Sequence, residues 1–210
     1  MNITAFPQIT FAYFDKSLAD VKIFLEIYKN ERPSDLTKRS VIESERKPSE
    51  VFVEFERLKQ QRKSERRHDS QQAFFYNPLY DTDKTVMFSN LFDGWYTLCN
   101  IASRRLACEC YLFHICESGV SEFKNCLTYF DGCGVARVVY VLKEGRKWLF
   151  FEQGNPLWFE NVSFYEEKLK RRRLSKEILL GYCQKLGLDL GNFEFWESAG
   201  NGVFLEVLLN

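Results

Sequence analysis

The chain has 210 residues, and its 29 lysines and arginines are balanced by 29 aspartates and glutamates. A hydrophobic fraction of 45% and an aromatic fraction of 16% exclude a disordered chain, because this much apolar surface can offset the entropy lost on ordering. The zero formal net charge excludes a global field that would draw the molecule to nucleic acid or to an anionic membrane, so charged recognition must be local.

The first elements predicted along the chain are a strand and a helix. Residues 9–14 are rich in β-branched and aromatic side chains, which favours a strand. Ser17 can cap a following helix, whose apolar residues at helical spacing are Leu18, Val21, Phe24, Leu25 and Tyr28. We expect this βα segment, residues 1–30, to belong to the same domain as residues 73–210.

Residues 31–72 differ from their surroundings because charges of both signs crowd together and apolar residues are scarce. We predict a surface loop over residues 31–48 and an exposed, charged helix over residues 49–67. A solvated, mobile insert is the ordinary structure of such a stretch.

The next stretch predicts a strand, a helix and a central strand. Thr85–Ser89 has strand composition, and Asp93 is a good N-cap for a helix whose buried side is formed by Trp95, Leu98, Cys99 and Ala102. Residues 107–116 are apolar on both faces at a period of two, which indicates a central strand covered on each side.

Short connections then predict an antiparallel meander, with strands over residues 126–130, 135–141, 147–152 and 157–160. Ser163 and Glu166 have the spacing of a capping box, which predicts a helix carrying a basic block. Ser175 can begin a second helix that stops at Gly187, and residues 193–197 and 203–208 resemble a hairpin. The fold class predicted is α+β: an antiparallel sheet, made of the meander and a C-terminal hairpin, with helices packed mainly against one face.

Candidate chemical groups are sparse, with two histidines and seven cysteines. Four potential metal ligands share one strand face: Cys108, Cys110, His114 and Cys116. The first and last of these would lie about 26 Å apart along a strand, too far for one zinc ion. His68 lies in a charge-dense stretch, and the cysteines resemble reduced, buried thiols. We therefore expect no metal, no cofactor and no catalytic residue, with a thiol- or metal-dependent enzyme as a weaker alternative.

Two segments suggest binding surfaces. Aromatic and acidic residues alternate at the positions expected to contact a protein partner: Trp158, Glu160, Glu194, Trp196 and Glu197. The alternative is an association with nucleic acid through the basic residues Lys168, Lys170, Arg171, Arg172 and Arg173, because cations neutralise phosphate. Charges of opposite sign at residues 166, 167 and 177 weaken that second hypothesis.

Three features carry a resemblance to a known class: Asp93-Gly94-Trp95 opening a helix, residues 144–148 at a hairpin, and a terminal helix followed by aromatic strands. In size and order of elements the chain resembles the small cytosolic α+β immunity proteins of bacterial polymorphic-toxin and contact-dependent or type VI secretion systems. The resemblance implies a non-enzymatic protein that binds and blocks a cognate toxin. The start of the sequence lacks a signal-peptide pattern and no apolar run is long enough to cross a membrane, so we expect a cytoplasmic protein without a membrane partner.

Overall fold

The computed structural model describes residues 7–31, 37–62, 70–117, 119 and 124–209. Its strands are β1 (Gln8–Phe14), β2 (Thr37–Ser44), β3 (Ser70–Tyr76), β4 (Thr85–Ser89), β5 (Cys110–Cys116), β6 (Lys124–Phe130), β7 (Val135–Glu144), β8 (Lys147–Gln153) and β9 (Gly202–Leu209). Its α-helices are α1 (Leu18–Asn30), α2 (Pro48–Arg62), α3 (Tyr96–Leu106) and α4 (Lys176–Lys185). None of the helices in these ranges is both long and apolar enough to span a membrane.

All of these strands form one antiparallel sheet in the order β2-β9-β3-β4-β1-β5-β6-β7-β8. The α+β fold class is confirmed. The meander is confirmed as well for β6 to β8, where each strand pairs with the next along the chain, and β5 extends it by pairing with β6. Its connections are too short for crossovers, so antiparallel pairing is the only arrangement that they allow.

Helices cover both faces of the sheet, so the prediction that they pack mainly against one face is wrong. α1 and α3 pack with Ala12 and Phe14 of β1, whereas α2 and α4 pack with Phe11 and Tyr13 of the same strand. Adjacent residues of a strand point to opposite faces, and both sets here are apolar. Two helical layers are therefore needed, and β5 is covered on each side as predicted.

Two of the four predicted helix caps are confirmed. The Ser17 hydroxyl accepts the backbone N–H of Asp20, and Ser175 accepts that of Ile178. Asp93 is not the N-cap of α3. Its carboxylate accepts the N–H of Trp95 at 2.9 Å, and Trp95 itself occupies the cap position with a φ of +59°.

The charged segment 31–72 contributes to the sheet and to the core. The predicted loop is wrong for Thr37–Ser44, which forms edge strand β2 and pairs with β9 along its length. The predicted helix is present as α2, but Val51, Phe52 and Phe55 are buried, so it is not an exposed helix. Charged residues are common on edge strands because they discourage pairing with other chains, and here they hide the strand pattern. Residues 63–67 of the predicted helix, and His68, lie outside the described residues.

The C-terminal hairpin is wrong. Phe193–Trp196 is a short 3₁₀ helix, and β9 pairs with β2 and β3 instead. Residues 157–160 form a turn rather than a strand. The predicted basic helix is replaced by 3₁₀ helices at Val162–Glu166 and Lys170–Arg172, and Asn161 rather than Ser163 caps the first of them.

Candidate binding surface

Three tyrosines and an arginine occupy facing positions on four neighbouring strands. Tyr13 of β1 faces Tyr111 of β5, which faces Tyr129 of β6, which faces Arg137 of β7. The ring centroids of the first pair lie 6.3 Å apart and those of the second pair 4.9 Å apart. We call Tyr13, Tyr111 and Tyr129 the tyrosine ladder. It lies on the face of the sheet that α4 covers.

Glu109 joins two members of the tyrosine ladder at the end of the sheet. Its carboxylate accepts the hydroxyl of Tyr111 at 2.7 Å and that of Tyr129 at 2.9 Å. Burial, followed by the hydrogen bond and charge of Glu109, raises the pKa of both tyrosines. Both hydroxyls are therefore neutral donors at physiological pH, and Glu109 itself is exposed.

Beside the ladder, Arg137 forms a buried ion pair with Glu160. Arg137 is 1% exposed and the side chain of Glu160 is 0% exposed. The Arg137 guanidinium donates from Nε to Oε1 at 3.1 Å and from Nη2 to Oε2 at 2.8 Å. Nη1 donates to the carbonyl of Gly154 at 2.8 Å, and Nη2 also donates to Glu152 at 2.8 Å. A bidentate pair with these further hydrogen bonds compensates the cost of removing both charges from water.

Glu160 fastens residues 154–161, which we call the Trp158 loop. Its carboxylate accepts the backbone N–H of Leu157 at 2.9 Å and the hydroxyl of Tyr165 at 2.7 Å. Tyr182 of α4 lies 3.1 Å from the Tyr165 hydroxyl, oxygen to oxygen, and accepts the N–H of Asn161 at 3.1 Å. The loop is thus tied to β7 and to α4 by groups that are largely shielded from water.

Trp158 projects from this fastened loop and is 74% exposed. Its neighbour Phe159 is buried, with ring centroids 5.4 Å from Trp158 and 6.0 Å from Tyr111. Lys185 donates to the carbonyl of Phe159 at 2.9 Å. A large aromatic side chain held in water by a fixed backbone is the usual form of a binding anchor. We define the candidate binding surface as the tyrosine ladder, Glu109 and the Trp158 loop.

The five residues predicted to bind a partner do not form one surface. Only Trp158 is strongly exposed. The Glu160 side chain is buried against Arg137, and Trp196 is 1% exposed, donates its indole N–H to Leu190 and stacks on Phe88. The prediction is wrong for these two residues because each satisfies its polar group inside the fold. Glu194 and Glu197 are half-buried on another segment, and Glu197 pairs with Lys47 at 3.3 Å.

The basic residues of the alternative hypothesis lie mainly in water. Lys168, Lys170, Arg171 and Arg172 are exposed, whereas Arg173 lies over the Phe150 ring at 5.1 Å and donates to the Glu167 carbonyl. Arg171 and Arg172 line an open cavity of about 830 Å³ together with Lys176, Trp148, Leu180, Glu117 and Glu177. The structure therefore keeps four of the five cations accessible.

His114 lines a second cavity, of about 320 Å³, but both of its ring nitrogens are engaged. The Gln8 amide nitrogen lies 2.7 Å from Nε2, so Nε2 accepts and Nδ1 carries the proton that it donates to Thr10 at 2.9 Å. Burial lowers the pKa of His114 to about 3, and the charges of Lys124 and Lys59 act in the same direction. Cys126, its cross-strand neighbour, lies 3.7 Å from the Thr128 hydroxyl, sulfur to oxygen, and burial raises the pKa of its thiol.

Cys108, Cys110, His114 and Cys116 are the four residues of ligand type on one strand face that the sequence analysis considered as potential metal ligands. Among the described residues, no group of three or more His, Cys, Asp or Glu side chains is arranged to hold a metal ion. All four of these residues are buried. Burial raises the pKa of the Cys108 thiol to about 11, which keeps it protonated at neutral pH.

Sequence reasoning missed the tyrosine ladder, Glu109 and Arg137. Strand periodicity could place Tyr111 and Tyr129 on strand faces, but only the register between strands shows that they meet. Comparison with models of protein families, with curated proteins and with solved structures gave no match.

Proposed function

We propose that this chain is a non-enzymatic binding protein, an immunity protein of the bacterial cytoplasm that binds and neutralises a cognate protein toxin. The observation that carries the proposal is Trp158, 74% exposed on a loop fastened by the buried pair of Arg137 and Glu160. A partner that covers the Trp158 side chain removes a large apolar surface from water, which is favourable.

The fastened loop favours tight binding. Ordering a loop during association costs free energy, and a loop that is already fixed avoids that cost. Tryptophan and tyrosine dominate the residues that carry binding energy in protein interfaces, and the half-buried Tyr129 lies in the row beside Arg137. The candidate binding surface therefore combines an anchor with a rigid support.

The state of His114 also supports a binding role. A general base needs a free nitrogen lone pair, and the His114 lone pair accepts a hydrogen bond from Gln8. The nearby Cys126 thiol has a raised pKa, which opposes its use as a nucleophile.

A second candidate function, association with nucleic acid, is favoured by the exposure of Lys168, Lys170, Arg171 and Arg172. Cations that contact phosphate release counterions, so affinity for an oligonucleotide would fall steeply with salt. Retention at low salt that the double substitution R171Q/R172Q abolishes would support this function. Elution of wild type and the double variant at the same salt concentration would contradict an association with nucleic acid through these residues.

Co-expression with the product of the neighbouring gene tests the main proposal. We expect the two proteins to co-purify, and we expect cells that express the neighbour to be rescued by this chain. A neighbour that is harmless alone and never co-purifies would overturn the proposal.

A further inference from the structure

Acidic side chains gather at the end of the sheet from which Trp158 projects. Glu109 directly precedes β5 and Asp131 directly follows β6, and these strand ends meet because Cys110 faces Phe130. Asp15 follows β1 at the same end, where its N–H donates to the carbonyl of Glu109. The Trp158 loop follows β8, whose last residue faces β7 next to Arg137.

Within the described part of the chain, four carboxylates in this region are not in ion pairs, although Lys185 contacts the Trp158 loop and Lys16 lies near Cys108. Asp15 is paired with Lys84. Among the residues that the structure describes, Glu109, Asp131, Asp81 and Asp189 have no ion-pair partner within 4.0 Å. The backbone N–H groups of Cys133 and Gly134 hold the Asp131 carboxylate at 2.9 and 3.0 Å, and hydrogen bonding to Cys133 lowers its pKa.

Carboxylates in this region also raise the pKa values of neighbouring tyrosines. Asp81 and Glu109 both act on Tyr13, and Asp81 and Asp189 both act on the partly exposed Tyr80, in each case raising a pKa already raised by burial. Carboxylates thus lie near the tyrosine ladder in the β3–β4 connection, in the residue before β5 and in the residue after β6, whereas Asp189 lies near Tyr80.

Glu109 retains capacity for a further donor. A carboxylate offers about four lone-pair sites, and the two tyrosine hydroxyls occupy two of them. A guanidinium or ammonium group can take the remaining sites, and a second cation can stack on the indole of Trp158.

We infer that this end of the sheet binds a basic, arginine- or lysine-rich segment of a protein partner, with Glu109 receiving one cationic side chain and Trp158 stacking on another. The inference rests on the proposed binding function and specifies the chemistry of the partner. The charges are complementary, because a basic segment supplies the cations that the described carboxylates lack.

A hexa-arginine peptide is the probe, with hexaglutamate as the opposite charge, in titration calorimetry at low salt. We expect hexa-arginine to bind wild type with an affinity that falls as salt rises, and hexaglutamate not to bind. E109Q should weaken hexa-arginine binding at least fivefold, while its amide oxygen can still accept one tyrosine hydroxyl and its NH2 group can donate to the other. E144Q, which removes an exposed carboxylate from the last residue of β7 at the other end of the sheet, should bind like wild type.

Equal binding by E109Q and E144Q, or no binding by wild type, would overturn the inference. The proposed function fails separately. If a toxin co-purifies with E109Q as well as with wild type, the inference that the partner binds through a basic segment is contradicted, and the proposed immunity function is retained. If hexa-arginine binds specifically but no toxin partner is found, the inference about basic segments is supported and the proposed immunity function is contradicted.

Discussion

Arg137 and Glu160 are separated by 23 residues in the chain and form a bidentate ion pair whose two side chains are almost without contact with solvent. The pair links β7 of the sheet to the loop that presents Trp158. It therefore connects the stability of the fold to the geometry of the candidate binding surface.

Replacing Arg137 alone should be strongly destabilising. R137M leaves the buried Glu160 carboxylate without its cation, and losing one partner of a buried pair costs about 3–5 kcal/mol. Urea denaturation measures the change in the free energy of unfolding. The double variant R137M/E160M removes both charges and should recover part of the loss. A cost below about 1 kcal/mol for R137M would contradict a structural role for the pair.

Gly154 should not tolerate a side chain. Its φ is +85°, and a Cβ there would lie 1.9 Å from the carbonyl oxygen of Ala136. We expect G154A to lower the free energy of unfolding by more than about 2 kcal/mol, since the clash adds to the strain of a left-handed backbone. Gly145 is the matched control, because its φ is +58° and nothing lies within 4 Å of an added Cβ. Equal losses for G154A and G145A, measured by denaturation, would refute the predicted clash.

Acid should destabilise the protein through His114. The folded state keeps this ring neutral down to a pKa of about 3, whereas the unfolded chain binds a proton near the ordinary histidine pKa of 6.5. Between these values the unfolded state holds more protons, so stability falls as the pH is lowered, by about 1.4 kcal/mol per pH unit. Denaturation at several pH values should show this slope as a difference between wild type and H114Q. Parallel curves for the two proteins would be inconsistent with a buried, neutral His114.

Local signals made parts of the fold predictable from sequence. The Ser17 and Ser175 caps depend on bonds to residues three positions away, and the apolar faces of β5 are contained in seven consecutive residues. The candidate binding surface could not be predicted in this way, because it depends on contacts between residues that are far apart in the sequence. From the sequence alone, Glu160 resembles an acidic residue at the rim of an interface, but in the fold it pairs with Arg137. Trp196 likewise resembles an exposed binding residue, but in the fold it stacks on Phe88.

The pairing partners of β9 could not be predicted either, because they too are distant in the sequence. The turn residues 198–202 predict that β9 pairs with the segment just before it, because they are typical of a hairpin. The charged strand β2 and strand β3 take that place; β2 comes from the segment whose composition indicated a mobile insert, and β3 begins in the last three residues of that segment. Long-range pairing is decided by which faces remain to be buried, and no window of local sequence contains that information.

The most direct test of the account is the dissociation constant between this chain and its cognate toxin, measured for wild type, W158A and I23A. Trp158 and Ile23 are both largely exposed, at 74% and 61%, but Ile23 lies on α1, which covers the opposite face of the sheet. Both variants should unfold at the same denaturant concentration as wild type. We predict that W158A weakens toxin binding by about 30-fold or more, corresponding to about 2 kcal/mol, and that I23A stays within about twofold of wild type. A W158A protein that binds the toxin as tightly as wild type would contradict the claim that Trp158 is the anchor of the interface.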